Sequence, residues 1–128
     1  MNRLVVDSWA WIEYLDGTVR GEKVREFLEG RKYELFCSSI SVAEVVSRFV
    51  RKNKDPALAF RALAHFSKIV DADGGLASEA GEIHAKLRQT VPDFGLADAF
   101  VIAVADKLEA KILTGDPHFR KVENAVMV

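Results

Sequence analysis

The sequence predicts an α/β domain in which a central, mainly parallel sheet of four to five strands lies between helices. Two observations carry that expectation. Short apolar runs alternate along the chain with longer stretches whose apolar residues recur at helical spacing, the pattern of βα units closed by right-handed crossovers. In addition, 128 residues with 49% hydrophobic content suffice to bury one core but not two, so residues 1–128 are expected to form a single domain.

Taken in order, Leu4-Val5-Val6 is a β-branched run ended by Asp7, as expected of a central strand buried on both faces. Residues 8–15 interleave Trp9, Trp11, Ile12 and Leu15 with Glu13 as a first helix, and a second helix over 19–29 stops before Gly30. Leu35-Phe36-Cys37 is the second strand. Over 39–50, Ile40, Ala43, Val46 and Val50 recur at helical spacing, with Arg48, Arg51, Lys52 and Lys54 gathered near the end. Pro56 starts a further helix that reaches about Phe66, and Ile69-Val70 supplies a third strand. Gly74-Gly75 is expected to turn the chain. Leu76, Ala80, Ile83 and Leu87 then mark an amphipathic helix that must finish before Pro92, because the residue ahead of a proline is steered out of the α region. Residues 95–110 form the last helix. Lys111-Ile112-Leu113-Thr114 is the fourth strand, and Ala125-Val126-Met127-Val128 is a candidate edge strand.

Composition narrows function by exclusion. With 18 basic and 19 acidic side chains the net charge is −1, which lacks the cationic signature of proteins that hold nucleic acid by charge alone. Any nucleic-acid contact must be local, and the basic cluster of residues 48–54 is one place for it. Cys37 is the only cysteine and falls in an apolar stretch, where it reads as a small buried hydrophobe rather than a nucleophile. The first apolar run is far too short for a signal-peptide core or a membrane span, so no membrane association and a cytoplasmic location are expected.

In open α/β sheets the functional crevice lies at the carboxyl ends of the strands. Asp7, just after Leu4-Val5-Val6, and Asp116, in the Gly115-Asp116-Pro117 turn that ends the fourth strand, therefore belong there. Each also suits a helix N-cap, Asp116 with Pro117 behind it especially so. Glu44 likewise fits the S-x-x-E capping box of Ser41-Val42-Ala43-Glu44. Asp98 is harder to explain by capping, being the only charged residue between Gly95 and Ala105 in a helix apolar on every side. A buried, unpaired carboxylate costs several kcal/mol, whereas the dipole of a helix start returns only about 0.3–1 kcal/mol. A bound cation answers the deficit. Oxygen donors favour Mg²⁺ or Mn²⁺ over Zn²⁺, since His65, His84 and His118 show no paired ligand spacing. Of the three, His118 alone lies close to a candidate acid. Asp93, five residues before Asp98, and Thr114, at the end of its strand, are expected to support the pocket. Trp9, Trp11 and Tyr14 are expected in the core or at a dimer surface, with base stacking the lesser alternative.

These residues together resemble the PIN-domain family, in particular VapC-like toxins of toxin–antitoxin pairs. Leu4-Val5-Val6-Asp7-Ser8 is similar to the family's first motif, Ser41-Val42-Ala43-Glu44 to its second, Leu96-Ala97-Asp98-Ala99 to its third and Leu113-Thr114-Gly115-Asp116-Pro117-His118-Phe119 to its fourth. The resemblance spans nearly the whole chain, and order and spacing make it specific. It implies a three-layer α/β/α sandwich, a homodimer, and a Mg²⁺- or Mn²⁺-dependent endoribonuclease restrained by a cognate antitoxin. By position, Asp7, Glu44 and Asp98 would be the main metal ligands, with Asp116 completing the acidic site. Two rival functions use the same features. A binding module would hold RNA or protein without cutting, and a receiver-like signalling domain would need a phosphoacceptor after a central strand, a place that neither Asp55 nor Asp71 fills.

Overall fold

A computed structural model describes residues 2–128. Five strands, β1 (Asn2–Val6), β2 (Tyr33–Ser38), β3 (Lys68–Val70), β4 (Lys111–Thr114) and β5 (Ala125–Met127), form one sheet in the order β3-β2-β1-β4-β5. Every neighbouring pair is parallel. Between them run α1 (Ser8–Asp16), α2 (Val19–Glu29), α3 (Ser39–Arg51), α4 (Pro56–Phe66), α5 (Gly74–Leu87) and α6 (Leu96–Leu108).

The period of two in each strand divides the apolar side chains between two cores. Leu4, Val6, Leu35, Cys37 and Leu113 point to one face, where they pack with Trp11, Val24, Val45, Phe49 and Leu63 from α1 to α4. Val5, Phe36 and Ile112 point to the other and meet Leu76, Ala80 and the Val101–Ala105 stretch of α5 and α6. The result is the three-layer α/β/α sandwich. Fully buried aliphatics such as Leu4, Val5, Ile112 and Leu113 each contribute about 1.5–3 kcal/mol relative to exposure. Cys37 is buried among them, and burial pushes its thiol up to about 12, so it behaves as the hydrophobe the sequence suggests.

Two features place polar groups at one end of this sheet. Because all strands are parallel, their carboxyl ends share an edge, and α1 and α3 start directly from the ends of β1 and β2. Helix α6 runs back toward the start of β4, joined to it by Glu109 and Ala110, so its first turn lies at the same edge. Strands β2 and β3 lie to one side of β1 and β4 and β5 to the other, which makes the β1–β4 boundary the switch point where α/β sheets open a crevice.

Local details differ from expectation at two places. Gly74 and Gly75 do not turn the chain but form the first turn of α5, because the Asp73 carboxylate accepts the Leu76 N–H at 2.9 Å and nucleates the helix there. Helix α3 is capped by Ser38, whose hydroxyl accepts the Ile40 N–H at 3.2 Å. Ser41 is thus inside the helix and Glu44 is not the acid of a capping box, since the chain enters α3 three residues earlier.

Candidate active site

The strand-to-helix turn at the end of β1 sets the centre of the site. Asp7 takes the N-cap position of α1 with extended backbone, yet its side chain makes no capping hydrogen bond. Instead Oδ2 accepts the Thr114 hydroxyl at 2.8 Å, while Oδ1 is buried with no hydrogen-bond partner. Asp7 is only 1% exposed. Burial is the chief reason its carboxyl is pushed up to about 7; the charge of Asp98 adds to this, as do those of Asp116 and Glu44, and the Thr114 hydrogen bond opposes it.

Three further acids surround it. Asp98 projects from the first turn of α6, half-buried, and is raised to about 6 by burial first and then by Asp116 and Glu44, against the opposing Gly95 N–H and His118. Glu44, one turn into α3, receives the Ser8 hydroxyl at 2.6 Å, so the residue next to Asp7 steers Glu44. Asp116 caps the 3₁₀ turn Pro117–Phe119: its Oδ1 accepts the His118 N–H at 2.9 Å and meets His118 Nδ1 at 2.7 Å. The other imidazole nitrogen, Nε2, lies 2.9 Å from Asp93 Oδ2. Held between two carboxylates, the imidazole is raised to about 9, by Asp93 first and then Asp116. Thr114 also accepts the Asp116 N–H at 3.1 Å, tying the two ends of the β4 turn together.

The six residues singled out in the sequence therefore reach one edge of the sheet, but with different intimacy. Asp98, Asp116 and His118 present ligand-type atoms within 4.8 Å of one another. Asp7 and Glu44 lie outside that tight group yet within electrostatic reach of it. Thr114 holds Asp7 directly, and Asp93 acts only through His118. Asp98, which the sequence marks as the buried acid without a partner, is the less buried of the pair: that description belongs to Asp7. Ser8 is the residue the sequence reasoning passed over, although its place beside Asp7 in the same turn was a usable signal.

The donor set suits a hard divalent cation. Among the described residues no lysine or arginine pairs with any of the four acids, and His118 is their one positive neighbour. One charge cannot balance four carboxylates, two of which are already pushed toward their neutral forms. The buried lone pairs of Asp7 Oδ1 are the clearest sign, because an oxygen left without a donor in the interior is costly unless a ligand reaches it.

The PIN domain profile matches residues 4–125. The chain belongs to the PIN-domain family. PIN proteins are, as a family, nucleases that use divalent metal. Similar solved structures agree on the fold. The Mycobacterium tuberculosis VapC20, described as a sarcin–ricin loop cleaving toxin, superimposes with a TM-score of 0.77 at 19% identity, covering 98% of both chains. A toxin–antitoxin complex from Klebsiella pneumoniae gives 0.70 at 18% identity over 97% of this chain and 96% of the other. VapBC2 from Rickettsia felis, bound to a DNA fragment from its promoter, gives 0.70 at 19% identity over 98% and 96%. Among curated proteins no sequence matches this PIN chain.

Proposed function

We propose that this PIN domain is a Mg²⁺- or Mn²⁺-dependent endoribonuclease and the toxin of a toxin–antitoxin pair, acting in the cytoplasm as a homodimer and restrained by its cognate antitoxin. The observation that carries the catalytic reading is Asp7 Oδ1, a buried carboxylate oxygen without a donor amid three other acids. The toxin reading is supported by the structural relatives described above, which are a toxin and toxin–antitoxin complexes.

Asp7, Glu44, Asp98 and Asp116 would hold the cation. When bound, it polarises a phosphodiester oxygen and makes water a competent nucleophile near neutral pH. The residues of the chain do the rest. Thr114 fixes the rotamer of Asp7, and Ser8 does the same for Glu44. His118 engages Oδ1 of Asp116 and so leaves Oδ2 for other partners. Asp98 or Asp116 orients the attacking water and accepts its proton as the P–O bond opposite opens. The near-neutral charge favours a structured RNA engaged at few phosphates, or a groove completed by the second protomer.

The test pairs RNA cleavage in Mn²⁺, with and without EDTA, with the variant Asp98→Asn. Cleavage that survives both chelation and the substitution would sink the mechanism. If calorimetry detects no Mn²⁺ binding while RNA affinity persists, the chain is a non-cutting binding module instead.

A further inference from the structure

Trp9 has a neighbour at the site that the chemistry above does not use. It lies two residues after Asp7 in the first turn of α1, partly buried, in contrast to the fully buried Trp11. Its benzo ring packs on Gly115 so closely that a methyl group there would run into the indole. Gly115 separates Thr114, which holds Asp7, from Asp116. The indole thus packs on the turn that carries Thr114 and Asp116.

Over that ring lies the guanidinium of Arg20, 5.8 Å from its centroid. Arg20 is exposed and, among the described residues, makes neither an ion pair nor a hydrogen bond. An arginine resting on an aromatic face keeps its planar set of donors free. The backbone that carries it packs closely on α1. Gly21, the next residue, lies so near the Glu13 carbonyl that a side chain would collide with it, and Thr18 donates both its amide at 3.2 Å and its hydroxyl at 3.3 Å to the same oxygen. By contrast, Arg48 and Lys54 of the basic cluster are both taken up by Asp16.

We propose that Trp9 and Arg20 form a substrate-positioning unit, in which the indole, packed on the turn of Thr114 and Asp116, holds the guanidinium to bind an RNA phosphate neighbouring the one that is cut. This rests on the ribonuclease reading. A pocket of four acids repels a polyanion, so a free cation is needed to bring the backbone in register. The stacked guanidinium stays exposed, so its fork of donors is open to a phosphate approaching from solvent.

The test measures binding of a fluorophore-labelled RNA hairpin with a single-stranded loop to the full chain by anisotropy across a salt series in EDTA, where the proposed metal-dependent cleavage is off. Arg20→Gln should weaken binding about 3- to 10-fold and reduce the slope of log affinity against log salt by about 0.7, the loss of one single-strand phosphate contact. Trp9→Leu, which still covers Gly115, should reproduce most of that weakening, and the double variant should lose less than the product of the two. Thermal melting and Mn²⁺ affinity, read by calorimetry, should be the same for Arg20→Gln as for the parent. An unchanged affinity and salt slope in Arg20→Gln overturns the proposal while leaving cleavage intact. Independent, multiplicative losses overturn the coupling through Trp9. If the parent chain neither binds nor cuts RNA, the ribonuclease reading falls and takes this one with it.

Discussion

Helix α1 has an aspartate at each end, and the two live in opposite electrostatic worlds. Asp16, its last residue, meets Lys54 Nζ at 2.9 Å and Arg48 Nη2 at 3.3 Å. Burial tends to raise its carboxyl, but those two cations outweigh it and hold the group below its ordinary range. Asp7, at the other end, is more deeply buried and has only a hydroxyl for company. Among the described residues two cations meet the partly buried acid and none meets the fully buried one, an imbalance that the proposed cation would remove.

Neutralising the two acids in turn should separate them most sharply. Asp7→Asn should reduce RNA cleavage by more than the about 100-fold that marks the upper range for outer partners of metal ligands. The same change should raise the melting temperature of the EDTA-treated protein at pH 8, since it removes a buried charge. A lower melting temperature there would contradict the account.

The pH dependence of the metal-free protein gives the next largest effect. Asp7 and Asp98 bind protons more tightly folded than unfolded, with carboxyls near 7 and 6 against an ordinary 3.8. The folded state is therefore favoured at low pH and loses stability as pH rises from about 4 to about 7, by about 2–4 kcal/mol for Asp7. His118, raised to about 9, stabilises fully below its ordinary 6.5 and loses that contribution as pH climbs through 9. Both trends run downward, so melting in EDTA should fall steadily from pH 5 to 9, and saturating Mn²⁺ should flatten the carboxylate part. A melting temperature that is level or rises with pH in EDTA would refute it.

Smaller effects sharpen the contrast. Thr114→Val keeps the shape but removes the hydroxyl that serves both Asp7 and the Asp116 amide, and should weaken Mn²⁺ binding about 10-fold by calorimetry. Asp16→Asn should cost at most about 1 kcal/mol, because its partners are substantially exposed. Its Mn²⁺ affinity should match the parent's, and a marked loss would mean that the far end of α1 is coupled to the site.

The sheet was legible in the sequence because its strands are buried on both faces, which leaves unbroken apolar runs such as Leu4 to Val6 and Ile112 to Leu113. The acids could be picked out because strand ends are predictable once strands are. Their ranking could not. Asp98 stands out in a row of letters because its neighbours are apolar, but a first-turn residue at the sheet edge meets solvent, whereas Asp7 sits under the start of α1 against β4. That burial depends on residues more than a hundred positions away, as does its bond to Thr114. Gly74-Gly75 misled for a local reason: glycine pairs usually break helices, and here the cap at Asp73 prevailed. The linkage of Ser8 to Glu44 joins residues 36 apart through a side chain common in N-terminal helical turns.

Asp7 and Thr114 are 107 residues apart in the chain, and their bond forms only when β4 slots beside β1. Every acid of the pocket comes from a different segment, so no fragment that lacks β4 and the turn after it holds a complete set. If the four acids act together as proposed, the site is completed only when that late segment docks beside β1. Completion of the acid set is thus a property of the whole domain rather than of any one βα unit.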